Sequence, residues 1–185
     1  MKLLAAMMAL ACAAGATGAM AQNPLIAPMP GKAAYNTAMQ GAGAQYKTAR
    51  AACNELNGYL KDVCVAEANA ARVRVEADAT AQYKNTLKAH TKARIDIAEA
   101  DYEVNKARCG NKAGNDKDVC QKLAKATRVA AVADANADRK VMDARMDASA
   151  AKRDAEYNLA LQRCDAVAGN TKQACVAEAK AMFGR

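Results

Sequence analysis

Small apolar residues recur at steps of three and four along two long stretches of the chain. In one, Ala126, Ala130, Ala133, Ala137, Val141, Ala144, Ala148, Ala151 and Ala155 keep that spacing without a break. In the other, Ala66, Ala70, Val73, Ala77, Ala81, Ile95, Ala98 and Tyr102 keep it around a polar gap from Lys84 to Thr91. Such steps place residues on one helix face, and a seam of this kind is that of a coiled coil. From Tyr59 to Arg108 and from Asn115 to Ala168 there is neither Gly nor Pro, so both intervals can run as continuous helix. The pattern predicts an all-α fold with two long and two short helices. The short ones cover ~33–57 and ~171–183, the long ones ~60–113 and ~116–168.

A repeat fixes where the helices stop. Tyr46-x6-Cys53-x4-Gly58-x2-Lys61-x2-Cys64 recurs as Tyr102, Cys109, Gly114, Lys117 and Cys120, and again as Tyr157, Cys164, Gly169, Lys172 and Cys175. Val63-Cys64-Val65-Ala66-Glu67-Ala68 resembles Ala174-Cys175-Val176-Ala177-Glu178-Ala179, and Arg72-Val73 matches Arg128-Val129. A fixed period signals a repeated supersecondary unit. Two cysteines eleven apart on an unbroken helix sit ~16 Å apart, whereas a disulfide needs Cα atoms within ~7 Å. The chain therefore reverses between them. Gly58, Gly114 and Gly169 are suited to the left-handed conformation that closes a helix, and Asn115-Asp116 and Asn170-Thr171 are suited to cap the next one. Of the fifteen connectivities open to six cysteines, the repeat selects Cys53–Cys64, Cys109–Cys120 and Cys164–Cys175.

The expected architecture is elongated: antiparallel helical hairpins with disulfide-closed turns and an alanine-rich coiled-coil seam. With a turn near Gly114, facing residue numbers sum to roughly 228. Ala98 then meets Ala130, Ile95 meets Ala133, Ala81 meets Ala148 and Val73 meets Ala155. The first and third hairpins are expected at the same end. An alanine seam buries little area, so disulfides, each closing a loop of about a dozen residues and contributing about 3 kcal/mol, act as staples.

Composition narrows the chemistry. The 185 residues are 52% hydrophobic but only 4% aromatic, with no Trp and one Phe. Large aliphatic side chains are too sparse for a sandwich or a doubly wound sheet. Ser149 and His90 are the only residues of their kinds, which argues against a Ser-His-Asp apparatus. The carboxylates lie on polar helix faces without an implied cleft. No enzymatic activity and no cofactor are expected. Cys53, Cys64, Cys164 and Cys175 form a zinc set in principle, but their spacing is wrong for a knuckle; a reactive redox pair lacks its C-x-x-C motif. Met142, Met146 and His90 suit Cu(I) by donor type, yet methionines at helical spacing ordinarily fill cores. Tyr46, Tyr102 and Tyr157, each seven residues before a cysteine, are expected to pack on the disulfide hairpins.

The chain opens with Lys2, an apolar run from Leu3 to about Ala14, and Ala19-Met20-Ala21. That is the pattern of a secretory signal peptide over 1–21, cleaved after Ala21. Lipid anchoring at Cys12 is disfavoured because the residues before it fit a lipobox poorly. Residues 22–32 hold all three prolines, Pro24, Pro28 and Pro30, and read as a flexible leader to a three-hairpin repeat domain over 33–185. The expected location is the periplasm or beyond, an oxidising setting that suits the cysteines. No later stretch reaches the ~20 apolar residues of a membrane span. The formal net charge of +8 is spread through Arg72–Asp78, Asp134–Lys140 and Asp143–Arg153 in alternation with acids, as on solvated helix faces. Specific nucleic-acid binding calls for clustered cations with interleaved aromatics. A modest positive field leaves an anionic envelope polymer such as lipopolysaccharide as one partner class, and an envelope protein or a second copy of the chain as others.

The Y-x6-C-x4-G-x2-K-x2-C repeat in an exported Ala/Lys-rich chain resembles a group of small periplasmic proteins of Gram-negative bacteria, often labelled TolA-like or cell envelope biogenesis. The resemblance covers about Tyr46 to Ala181. The functions of that group are unassigned, so the expectation of a non-enzymatic structural or interaction protein of the envelope rests on the helical pattern and composition. TolA itself has a membrane anchor and a C-terminal globular domain that this sequence is expected to lack, so no role in energy coupling is implied.

Overall fold

The computed structural model describes residues 31–185. The signal peptide (1–21), its cleavage site, Cys12 and the leader up to Pro30 lie outside the described residues. The described chain is all-helical: α1 (Lys32–Ala52), α2 (Gly58–Lys84), α3 (Leu87–Arg108), α4 (Gly114–Cys164) and α5 (Gly169–Phe183), with single 3-10 turns at Cys53–Glu55 and Cys109–Asn111. Each helix packs against the next in the chain. Disulfides cross three of the four turns, with Cα separations of 5.6 Å for Cys53–Cys64, 5.8 Å for Cys109–Cys120 and 5.6 Å for Cys164–Cys175.

Five helices replace the expected four, because the interval read as one helix over ~60–113 is broken at Asn85–Thr86. Asn85 takes the left-handed conformation (φ 42°), the only non-glycine among the described residues to do so, and its N–H donates to the Ala81 carbonyl at 2.8 Å. Asparagine tolerates this region better than most side chains. Thr86 then opens α3 by accepting the Ala89 N–H on its hydroxyl at 3.1 Å, satisfying a donor that the first turn otherwise leaves unpaired.

Beyond the break α3 returns along α2. Glu67 pairs with Arg108 at 2.7 Å and Arg74 pairs with Asp101, so the contacts run in opposite chain directions. The seam of α2 is indeed buried, but its partner is α3. Ala70, Ala100 and Val104 make one cluster with Ala66 and Val73 against it; Ala77, Ala81 and Ala93 make a second with Ile97. Tyr35 of α1 stacks on Tyr83 of α2 at 4.8 Å.

The expected pairings Ala81–Ala148 and Val73–Ala155 are therefore absent, and so are Ala98–Ala130 and Ile95–Ala133. The register of α3 on α4 is close to that expected, since Arg94 meets Asp138 at 2.7 Å and Glu99 meets Arg128 at 2.9 Å. The rotation of α4 is not. Its inward residues are Ala124, Arg128, Val132, Ala135 and Arg139, all buried or half-buried, while Ala126, Ala130, Ala133 and Ala137 are exposed. Two residues subtend about 200° on a helix, so the alanine seam points directly away from α3. The α3 surface turned toward α4 carries Glu99 and Tyr102, and Arg128 meets both. Its Nη1 donates to both carboxylate oxygens at 2.9 Å, and its guanidinium lies 5.1 Å from the ring centre.

Candidate functional site

The three turns share one construction. Gly58, Gly114 and Gly169 have φ of 57°, 52° and 62°, a conformation that L side chains rarely adopt. Each is the first residue of the following helix, preceded by extended Asn57, Ala113 or Ala168. They open α2, α4 and α5, where the sequence reading had them close the helices before. Asn115-Asp116 and Asn170-Thr171 lie inside the first turns of α4 and α5, so they are not the caps expected of them; Ala113 and Ala168 cap without a side-chain bond.

The fold-back of α3 also changes which turns are neighbours. A Cβ placed on Gly110 would lie 2.9 Å from the Tyr59 Cβ. The first and second turns therefore touch, in place of the first and third as the sequence suggested. The four cysteines of the imagined zinc set are all in disulfides, and a sulfur in a disulfide is not a thiolate ligand. His90 Nε2 lies 3.4 Å from Asn85 Oδ1, and His90, Met142, Met146 and Ser149 are exposed.

The repeat tyrosines have a partner type that spacing did not suggest. Tyr46 lies under Arg72 at 4.9 Å, Tyr102 under Arg128, and Tyr157 under Arg185 at 5.6 Å. Arg72 and Arg128 come from the helix that follows the tyrosine and Arg185 from just past the end of α5, so a cation–π contact accompanies each disulfide. The matched Arg72-Val73 and Arg128-Val129 were the available signal. The third contact also includes Phe183 against Tyr157 at 5.7 Å and an Arg185–Asp154 ion pair. The hydrogen bonds and charge of Glu99 raise the pKa of Arg128 further, fixing its positive charge.

Two surfaces are large enough to engage a partner. One is an open groove of about 850 Å³ along α2 and α3, lined by carboxylates (Glu76, Asp96, Glu99, Glu103) and lysines (Lys84, Lys88, Lys92). Much of this charge is already satisfied: Lys92 binds Asp96 at 2.6 Å, Glu99 holds Arg128, and Arg72 reaches Glu76 at 3.5 Å. The other is the outer face of α4. Val119, Leu123, Val141 and Leu159 stand 56%, 67%, 49% and 53% exposed, and the nine-residue alanine and valine seam joins them into one stripe. Isolated exposed aliphatics are ordinary, but a continuous apolar stripe marks an interaction surface. None of the described helices is long and apolar enough to cross a membrane. No family model, curated protein or solved structure matches the chain.

Proposed function

We propose that the chain is a non-enzymatic, exported helical protein of the cell envelope that acts by contact, through the outer face of α4. In this reading the helices form a stack of antiparallel hairpins stapled by disulfides, a design for persistence in an oxidising compartment. The observation that carries it is the stripe from Val119 to Leu159, exposed along its whole length on a 51-residue helix. The satisfied charges of the α2–α3 groove and the Asn85 contact of His90 support a passive role. The basic excess adds a positive field that favours partners with anionic surroundings.

The test is photo-cross-linking in intact cells, with a photoreactive residue at Val141 or, as a control, at Lys88. Discrete cross-linked species from Val141 and none from Lys88 are expected. The reverse result, or none from either, overturns the reading. Salt separates the polyanion alternative: binding of envelope extract through the stripe should survive raised ionic strength, whereas binding to an anionic polymer should fall steeply.

A further inference from the structure

The occupant of this stripe, we propose, is a second copy of the same chain, its α4 laid antiparallel on the first and centred between Met142 and Asp143. The proposal rests on the outer face of α4 being a contact surface and names the partner. Three observations lead to it.

The stripe is straight. Val119, Ala137 and Ala155 recur every 18 residues, as do Leu123, Val141 and Leu159. Five helical turns are about 18 residues, so the stripe does not wind around the helix and no supercoiling is needed to keep it in contact. It runs about 60 Å at about 1.5 Å per residue. With Ala126 facing Leu159 the overlap is about 50 Å long, and a contact about 10 Å wide along it covers about 1,000 Å² over both copies, at the lower bound for specific interfaces.

The stripe is also self-complementary. Facing positions in an antiparallel pair have a constant sum, and at about 285 the layers between Ala126 and Leu159 are apolar: Ala126 meets Leu159, Ala130 meets Ala155, Ala137 meets Ala148, and Val141 meets Ala144 of the other copy, while Val119 and Leu123 lie outside the overlap. Alanines let two helices approach closely, and Leu159 and Val141 fill the ends and centre.

The charges flanking the stripe favour this register over slides by its 18-residue repeat. In an antiparallel pair each flank meets its own equivalent. Near a sum of 286, Asp134 meets the second copy's Lys152 on one flank and Lys140 meets Asp147 on the other, and the two-fold axis duplicates both contacts. Sliding by one period keeps the apolar layers but sets Asp134 against Asp134, or Lys152 against Lys152. All four residues are exposed on the single chain, so nothing in the monomer consumes these charges. Like charges directly opposed therefore disfavour those two shifted registers.

Sedimentation equilibrium on the oxidised full chain tests this. A reversible dimer of twice the monomer mass is expected. Ala137→Glu with Ala148→Glu, both at exposed positions, should abolish it while the helical circular dichroism stays unchanged. Asp134→Lys alone should weaken the dimer about tenfold, being counted twice by symmetry, and Lys152→Asp likewise; together they should restore it. A monomer at every concentration reached, or a dimer indifferent to the Glu pair, overturns the second copy as occupant, and so does failure of the double reversal to restore. If the chain is monomeric while the Glu pair still removes the cellular cross-links from Val141, the occupant is another protein and the contact role of α4 stands. If the cross-links also persist, both readings fall.

Discussion

The intervals Cys64–Cys109 and Cys120–Cys164 start from the same repeat and end as different objects. The first bends at Asn85–Thr86, so its alanines are buried between α2 and α3. The second runs straight as α4 and leaves its alanine seam in solvent. Seam spacing therefore specifies a face suited to packing and does not specify what covers it. A two-residue stop signal decides that. Where the first interval has Asn85–Thr86, the second has Lys140-Val141-Met142, which offers no residue at ease in the left-handed region and no capping hydroxyl.

The largest effect should come from the disulfide that joins the two intervals. Replacing Cys109 and Cys120 together by Ala frees a loop of about a dozen residues and should lower stability by about 3 kcal/mol, read as a fall in melting temperature. Hydrogen exchange should quicken first around residues 105–124, while Ala66–Ala81 keep their protection through the α3 contacts. Equal loss of protection across α2 would show that the fold-back depends on that bridge and has no independent core.

The two seams can be set against each other directly. Ala70 is 1% exposed among Ala100 and Val104, and Ala70→Glu places a long charged side chain where close packing leaves no room. The expected cost is about 2–3 kcal/mol. Ala130→Glu has the same seam spacing on α4 but is exposed, and in dilute solution should change stability by no more than about 0.5 kcal/mol. Comparable losses from both would mean that α4 is rotated with its alanines inward after all.

Much of this arrangement was legible from residues. Cysteines eleven apart with a glycine between them demanded reversals, and the lack of Gly and Pro elsewhere demanded helices. The near-correct register of Arg94 on Asp138 follows from the turn at Gly114. The break at Asn85 was visible only as a polar gap, because asparagine in a left-handed cap carries a weaker signal than glycine. The rotation of α4 was hidden for a different reason. Apolar periodicity selects the alanine face, whereas the face turned to α3 carries Arg128, whose link to Glu99 and Tyr102 exists only in three dimensions. The stripe came to light as a candidate surface only because the structure left it uncovered.

A smaller effect is expected where the first and second turns meet. Gly110→Ala would put a methyl group 2.9 Å from the Tyr59 Cβ, so backbone must move, at about 1–2 kcal/mol. Gly41→Ala, with nothing within 4 Å of the new atom, should instead gain up to about 1 kcal/mol from helix propensity. Thermal unfolding of the two variants side by side distinguishes a true contact between turns from a general sensitivity to added methyl groups.

The subtlest test concerns the bend itself. Thr86→Ala removes the hydroxyl that accepts the Ala89 N–H, leaving a first-turn donor to water, and should cost about 1 kcal/mol. Met142→Ala, at the corresponding place in the straight interval, breaks no cap and sits on an exposed position, so it should cost little. In urea unfolding, the cap loss should move the midpoint at constant slope, because the surface exposed on unfolding is the same. A changed slope for Thr86→Ala would mean that the fold-back itself had opened and α3 had left α2. The cap would then hold the two intervals apart in architecture, a larger task than terminating one helix.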